Sequence, residues 1–428
     1  MIRILLVFLI VQTSCAVAQR AEPSVAKVKE SIINQDKLAL LDAYIDDHID
    51  KGIIPGGTFY ITHKGKVIYD KAKGYSDIEK GIAYKRNDIF RLASMTKALT
   101  SVAIMQLYEQ GLLGLDDPVS KYIPEFKNMT ILKDYNDESD TYSTIPAEQE
   151  MTIRHLLTHT SGLYYGSFVD GIYKKAYEKA GIDQLGIYTP DLTTLDMARL
   201  IAKAPLMHEP GQKFTYGLSM DVLGAVVEVI TKKKLSLIFL TEIFYPLGMI
   251  NSHFYLPEAK YQMLIPLYTY NAEGKLIHTS DQGSNYPIFL NKGHYAGGGG
   301  LSSTAVDYGR FLQALLNKGE YKGKRIIKES TLDLMLSDQM ADLNKTGMGM
   351  SQNAGQSFCL GSALVTEANE HTAPHSKGTY SWGGYFNTKW WVDPEKELVF
   401  VGLTNVLPFS KDEFWEDMYD IIYSSMED

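Results

Sequence analysis

The stretch Arg91–Thr100, RLASMTKALT, decides how this chain is read. Its kernel is Ser94-Met95-Thr96-Lys97, followed by the helix-compatible apolar residues Leu99, Val102, Ala103, Met105 and Leu107. On a helix, positions i and i+3 share a face, so the Lys97 ammonium can lie beside the Ser94 hydroxyl. A serine hydroxyl is a weak nucleophile and needs an adjacent base to take its proton. Lysine serves as that base only when desolvation or a neighbouring charge lowers its pKa. A serine at a helix start also sits where backbone N–H groups favour developing negative charge. S-x-x-K is weak by itself. The other copy, Ser24-Val25-Ala26-Lys27, has no such apolar helix after it and is set aside.

Outside this kernel the composition is that of a globular protein. The 428 residues are 45% hydrophobic and 22% charged, enough to bury a sizeable core. A net charge of −9 argues against a nucleic-acid partner or an anionic membrane surface. Met1–Ala18 reads as a secretory leader: Arg3, the apolar core Ile4–Val11, and Ala16-Val17-Ala18 as a cleavage site. That core is too short to span a bilayer. The expectation is an exported protein, periplasmic or secreted. Cleavage before Cys15 would instead leave a lipid anchor, although Gln12 stands where such signals carry an aliphatic residue. With the leader removed only Cys359 remains, so no internal disulfide is available and Cys359 reads as a small buried apolar residue.

Along the chain, Gln35–Asp50 has helical periodicity, and Gly57–Tyr75 alternates around Lys64-Gly65-Lys66 as a hairpin. The polar segment Asn128–Glu150, with four acids between Asp134 and Asp140, reads as an exposed, solvated loop. Met151–Gly162 reads as a helix capped near Thr152 and stopped by Gly162. His155 and His159 would share a face of it, but no glutamate follows His155 and no third ligand is evident, so metal binding is not expected. The aromatic run Tyr164–Lys179 fits either a substrate-facing wall or an amphipathic helix. Further helices are expected over Thr194–Ala204, Asp221–Thr231, Leu237–Gly248 and Val306–Asn317. The run Gly297–Gly300 lacks a phosphate-loop context and reads as close backbone packing. Thr379–Trp391 and Leu398–Thr404 read as strands, and Phe414–Met426 as a last helix. Strands at both ends with helices between them predict one sheet assembled from both termini. A helical insertion then carries Ser94 and Tyr216.

Taken together and in order, these segments resemble the serine β-lactamase and penicillin-binding-protein superfamily. They are most like class C β-lactamase-like proteins and the family VIII carboxylesterases. The likeness rests on SMTK (Ser94–Lys97), LDDPVSKYIPEF (Leu115–Phe126), MTIRHLLTHTSGL (Met151–Leu163) and PGQKFTYGLSMDVLG (Pro210–Gly224). It continues through YPLGM (Tyr245–Met249), GGGGLSSTAVDYGRF (Gly297–Phe311) and YSWGG (Tyr380–Gly384).

The resemblance implies an α+β fold of the β-lactamase/transpeptidase type, an antiparallel sheet flanked by helices with a mostly helical insertion. After a leader at 1–18, one domain would fill 19–428. Its α/β part would cover about 36–92 and 295–428, and its helical part about 93–294. It also implies that Tyr216 shuttles the nucleophile's proton beside Lys97. Such a pair titrates jointly, and which of the two is the base stays open.

The chain departs from β-lactamases twice. Where they read Y-x-N it has Tyr216-Gly217-Leu218, and where they read K-T-G it has Trp382-Gly383-Gly384. Tyr385-Phe386-Asn387 and Lys377-Gly378-Thr379 resemble those motifs but fall out of order. Loss of the amide and of the cation weakens recognition of an anionic β-lactam and favours neutral acyl groups. The oxyanion donors implied are the Ser94 amide and a backbone amide near Gly384, with Trp382 and Gly383 beside the substrate.

The expected activity is a serine hydrolase acting through an acyl-enzyme, a carboxylesterase on small neutral esters, with a small-molecule ester or amide as its partner and without metal or cofactor. A β-lactamase or D-amino-acid peptidase is the alternative, and a non-catalytic ligand-binding relative the second.

Overall fold

The computed structural model describes residues 33–182, 191–279, 286–288, 293–340, 355–369, 372–407 and 413–426. The leader, Cys15 and the Ser24 copy of S-x-x-K lie outside them.

The main sheet has eight strands and is antiparallel throughout. It runs Gln356–Phe358, Ala363–Val365, Tyr380–Gly384, Thr388–Asp393, Leu398–Leu403, Gly56–His63, Lys66–Asp77, Ile82–Ala83. N- and C-terminal segments meet at its centre, where Tyr60 pairs with Val401 and Ile61 with Phe400. The hairpin turn expected at Lys64-Gly65 forms, with both residues at positive φ as a tight primed turn requires.

Alternation along the strands feeds two cores. Phe59, Ile61, Trp391 and Phe400 point to one face and pack against the helices Gln35–Asp50 and Glu413–Ser424. Tyr60, Trp390, Val399 and Val401 point to the other, towards the helix Ala305–Leu316 and the helical half of the molecule. This is the α+β architecture expected.

The helix Thr96–Glu109 runs through the middle of that second core, and every residue from Thr96 to Leu107 is buried. A helix surrounded by protein on all sides carries apolar and small residues all round instead of a single stripe, as this one does. It is held in place by Ser219–Thr231, itself buried from Ser219 to Val227. Among the described residues no helix is long and apolar enough to cross a membrane.

Three local expectations are corrected. The segment read as an exposed loop contains the hairpin Thr130–Asn136 with Thr141–Pro146. Its Thr, Tyr and Ile residues alternate, and Asp137 and Asp140 pair with Lys175 and Lys179. The helix expected over Met151–Gly162 is only Ile153–Leu157. Thr152 caps it, with His155 completing a capping box, but His159 adopts a left-handed φ of 54° and ends the helical path before Gly162. The helix expected at Leu237–Gly248 breaks into Leu235–Ile238, a π-turn at Phe239–Phe244 and Tyr245–Leu247.

Candidate active site

Ser94 lies in the short 3₁₀ turn Ala93–Met95 that opens into Thr96–Glu109. The preceding residue, Ala93, has φ 44°, a left-handed conformation that is strained for a residue with a Cβ. The turn is fixed by Thr96 Oγ1 donating to the Ala93 carbonyl (2.7 Å) and by the Leu92 N–H donating to Leu301.

Lys97 is one turn on, 1% exposed, and its ammonium meets three acceptors: Ser94 Oγ at 3.1 Å, the Tyr165 hydroxyl at 3.1 Å and the Gly298 carbonyl at 2.6 Å. An ammonium has three N–H groups, so this set satisfies it completely. The Tyr216 hydroxyl is 2.6 Å from Ser94 Oγ, and the Lys97 ammonium stands 4.8 Å from the Tyr216 ring centroid. Trp382 donates its indole N–H to the Tyr216 hydroxyl at 3.3 Å. Ser94, Lys97, Tyr216 and Trp382, widely separated in sequence, therefore form one hydrogen-bonded group.

Gly383 and Gly384 end the strand Tyr380–Gly384, which passes beside the Ser94 turn. A Cβ on Gly384 would lie 2.2 Å from the Leu92 carbonyl oxygen, so only glycine lets the strand approach this closely. The literal Y-x-N at Tyr385–Asn387 has a different use. Asn387 donates to Thr404 Oγ1 (2.6 Å) and accepts from the Trp415 indole (2.8 Å), deep in the fold. Leu218, where β-lactamases carry the amide, is fully buried in the core. Lys377–Thr379 forms a turn with Gly378 at φ 89°.

The aromatic run at Tyr164–Lys179 divides its roles. Tyr164 stacks on Tyr177 (3.7 Å) as packing, whereas Tyr165 and Phe168 face the site. Phe168 lies 6.1 Å from Tyr385 and 6.5 Å from Tyr216, and Trp382 touches Tyr216 and Phe358 at 5.4 Å each. The approach to Ser94 is thus walled by aromatic rings.

The sequence reading had Tyr165 only within a possible aromatic wall and Gly298 only within a packed glycine run. Their contacts with Lys97 escaped it, as did Asp221 and the place of His159 beneath Tyr216. Asp221 is an acid in the otherwise apolar MDVLGAVV segment, a visible signal; its carboxylate accepts the Gly298 N–H at 3.0 Å. His159 is buried beneath Tyr216, their rings 4.8 Å apart, and burial followed by the Lys97 charge holds its pKa well below the ordinary value. It is a neutral ring among Phe214, Tyr216 and Phe358, not a ligand paired with His155. Burial also raises the Cys359 thiol to about 11, and that residue packs as a small buried side chain.

Among the described residues the His, Asp and Glu side chains that converge are Asp77, Glu79 and His278, in another part of the molecule. There Lys80 already pairs with Asp77, and the Tyr268 hydroxyl donates to Glu79.

Comparison with known proteins agrees with this arrangement. The family model described as Beta-lactamase matches residues 41–421. Protein Rv1367c of Mycobacterium tuberculosis is 33% identical, over 86% of this chain and 89% of its own length. Esterase EstB of Burkholderia gladioli is 31% identical, over 86% of this chain and 90% of EstB. Among solved structures, EstCE1, described as a hydrolase with promiscuous acyltransferase activity, superposes with a TM-score of 0.76. It is 29% identical, with 91% of this chain and 99% of EstCE1 covered.

Proposed function

This chain belongs to the Beta-lactamase family and is a serine hydrolase, and from that premise we propose that it is a carboxylesterase acting on small neutral esters through an acyl-enzyme on Ser94. In the proposed reaction Ser94 Oγ attacks the ester carbonyl carbon while its proton passes to the Tyr216–Lys97 pair. The tetrahedral oxyanion is held by the Ser94 amide and a strand amide near Gly384, with the start of Thr96–Glu109 adding its positive dipole end. Collapse expels the alcohol, which takes the proton from the same pair. Water then attacks the acyl-enzyme and gives a proton to the pair, which passes it to Ser94 Oγ as the tetrahedral intermediate collapses and releases the acid.

The observation that carries the neutral-ester reading is Trp382. Where a β-lactamase presents an ammonium to a substrate carboxylate, an indole packs against Tyr216 and Phe358. Such a wall favours apolar acyl or alcohol groups and offers an anion no partner. EstB is named an esterase, which supports the same reading.

Turnover of p-nitrophenyl acetate and butyrate, set beside nitrocefin, tests it. Ester hydrolysis lost in Ser94→Ala with negligible nitrocefin turnover is expected. The opposite preference would favour the β-lactamase or peptidase alternative, and neither activity would favour a non-catalytic binder. Export belongs to the same proposal, on the strength of the leader at Met1–Ala18. A secreted chain beginning at Gln19 would support it and exclude an anchor at Cys15.

A further inference from the structure

Asp221 is a buried acid that the reaction above does not use. It is 3% exposed, Oδ1 accepts the Gly298 N–H, and Oδ2 has no hydrogen-bond partner. Oδ2 lies against the Gly298 backbone, where a Cβ would come within 2.4 Å of it. On its other side Gly298 presents its carbonyl to Lys97, and the neighbouring Gly297 carbonyl accepts from Thr100 Oγ1 at 2.7 Å. The glycine segment is therefore pinned between Asp221 and one face of the nucleophile helix.

Lys97 is almost fully buried, and among the described residues no carboxylate forms a direct ion pair with it. A buried ammonium left uncompensated is costly and tends to lose its proton. Asp221 lies just beyond Gly298, and the two charges act on each other.

We propose that Asp221 is a positioning residue of the acyl-transfer site: it fixes Gly298 so that its carbonyl holds the Lys97 ammonium against Ser94, and its charge compensates that ammonium. This rests on the hydrolase reading and adds a residue to it.

Burial lifts Asp221 to about 6, opposed by Lys97 and by the Gly298 N–H. The other titratable groups around the pair are Tyr165, Tyr216 and His159. Burial, then the Asp221 charge, keeps Tyr165 protonated, and His159 is held neutral. Acidification through pH 6 therefore removes the negative member of the pair while Tyr165 stays protonated and His159 neutral.

The test compares wild type with Asp221→Asn, an isosteric change that keeps an acceptor for Gly298. Expected are a kcat on p-nitrophenyl acetate lower by about 100-fold with KM nearly unchanged, and fluorophosphonate labelling slowed in parallel. In wild type the labelling rate falls below about pH 6, and in the variant that acid limb disappears. A variant that labels at the wild-type rate, or keeps the limb, overturns the proposal. If Asp221→Asn does not fold, wild type decides: constant circular dichroism with a limb near pH 6 supports it, and flat labelling overturns it. Labelled wild type with an unaffected variant sinks only the role of Asp221; unlabelled wild type sinks the hydrolase reading as well.

Discussion

The Tyr216 hydroxyl stands 2.6 Å from Ser94 Oγ, nearer than the Lys97 ammonium at 3.1 Å. The three donors of Lys97 are already matched to Ser94, Tyr165 and Gly298. The oxygen that can exchange a proton with Ser94 without breaking this set is that of Tyr216. Tyr216→Phe should lower kcat by about 10²–10⁴-fold while leaving substrate binding and the fold intact. Steady-state kinetics with a nitrophenyl ester checks it, and a loss confined to KM would contradict the assignment.

Trp382 donates its indole N–H to the same hydroxyl at 3.3 Å. Trp382→Phe keeps most of the aromatic wall and removes one hydrogen bond of ordinary strength. A roughly 3–10-fold fall in kcat is expected, with KM little altered. Trp382→Ala also opens the wall and should raise KM for apolar esters. A wild-type kcat in Trp382→Phe would show that the N–H has no part in the reaction, and equal effects from the two substitutions that the wall has none.

Gly384 allows the strand Tyr380–Gly384 to approach the turn that carries Ser94. In Gly384→Ala the new methyl would meet the Leu92 carbonyl at 2.2 Å and Thr388 Oγ1 at 2.3 Å, and the first is backbone that has no rotamer to escape into. Overpacking of this kind costs about 1–3 kcal/mol. A displacement of about 1 Å at the turn would cost roughly 10²-fold in kcat. Thermal unfolding and kinetics on one preparation check both, and wild-type activity would show that the close approach is dispensable.

Stability should fall on acidification. Burial lowers His253, His294 and His375 to about 4, from an ordinary 6.5, and lowers His159 too. The unfolded chain therefore binds protons first, and the folded state loses stability as pH drops from about 6.5 towards 4. Asp221 and Asp307, raised by burial to about 6, act in the opposite sense, disfavouring the folded state most above that pH. The histidines are more numerous and equally shifted, so a net loss of ~3 kcal/mol between about pH 7 and pH 5 is expected. Urea midpoints across that interval check it; a rising midpoint would show that the acids dominate.

Much of this fold could be read from the chain because its strand alternation is strong. Gly57–Tyr75 and Leu398–Thr404 carry the pattern that pairs the termini at Tyr60–Val401. The acid-rich hairpin at Thr130–Pro146 was hidden because its charges suggested solvent, although Lys175 and Lys179 neutralise two of them. His159 ended its helix early through a left-handed backbone that no residue type announces.

For the site, motif order brought Ser94, Lys97, Tyr216 and Trp382 to attention, and the structure links them in one chain of hydrogen bonds, Lys97 and Tyr216 to Ser94 and Trp382 to Tyr216. Gly298, Tyr165 and Asp221 were missed for a physical reason. Gly298 and Tyr165 reach Lys97 through a backbone carbonyl and a ring hydroxyl, and Asp221 holds Gly298 from behind, an arrangement made by tertiary packing that sequence spacing does not encode. Asp221 alone left a trace, as a charge in an apolar helix.

The central claim is that Ser94 is an activated nucleophile. Intact-protein mass after incubation with a fluorophosphonate, in wild type and in Ser94→Ala, tests it most directly. One adduct on wild type and none on the variant is the predicted result; an adduct that persists in Ser94→Ala, or none on either protein, would contradict it.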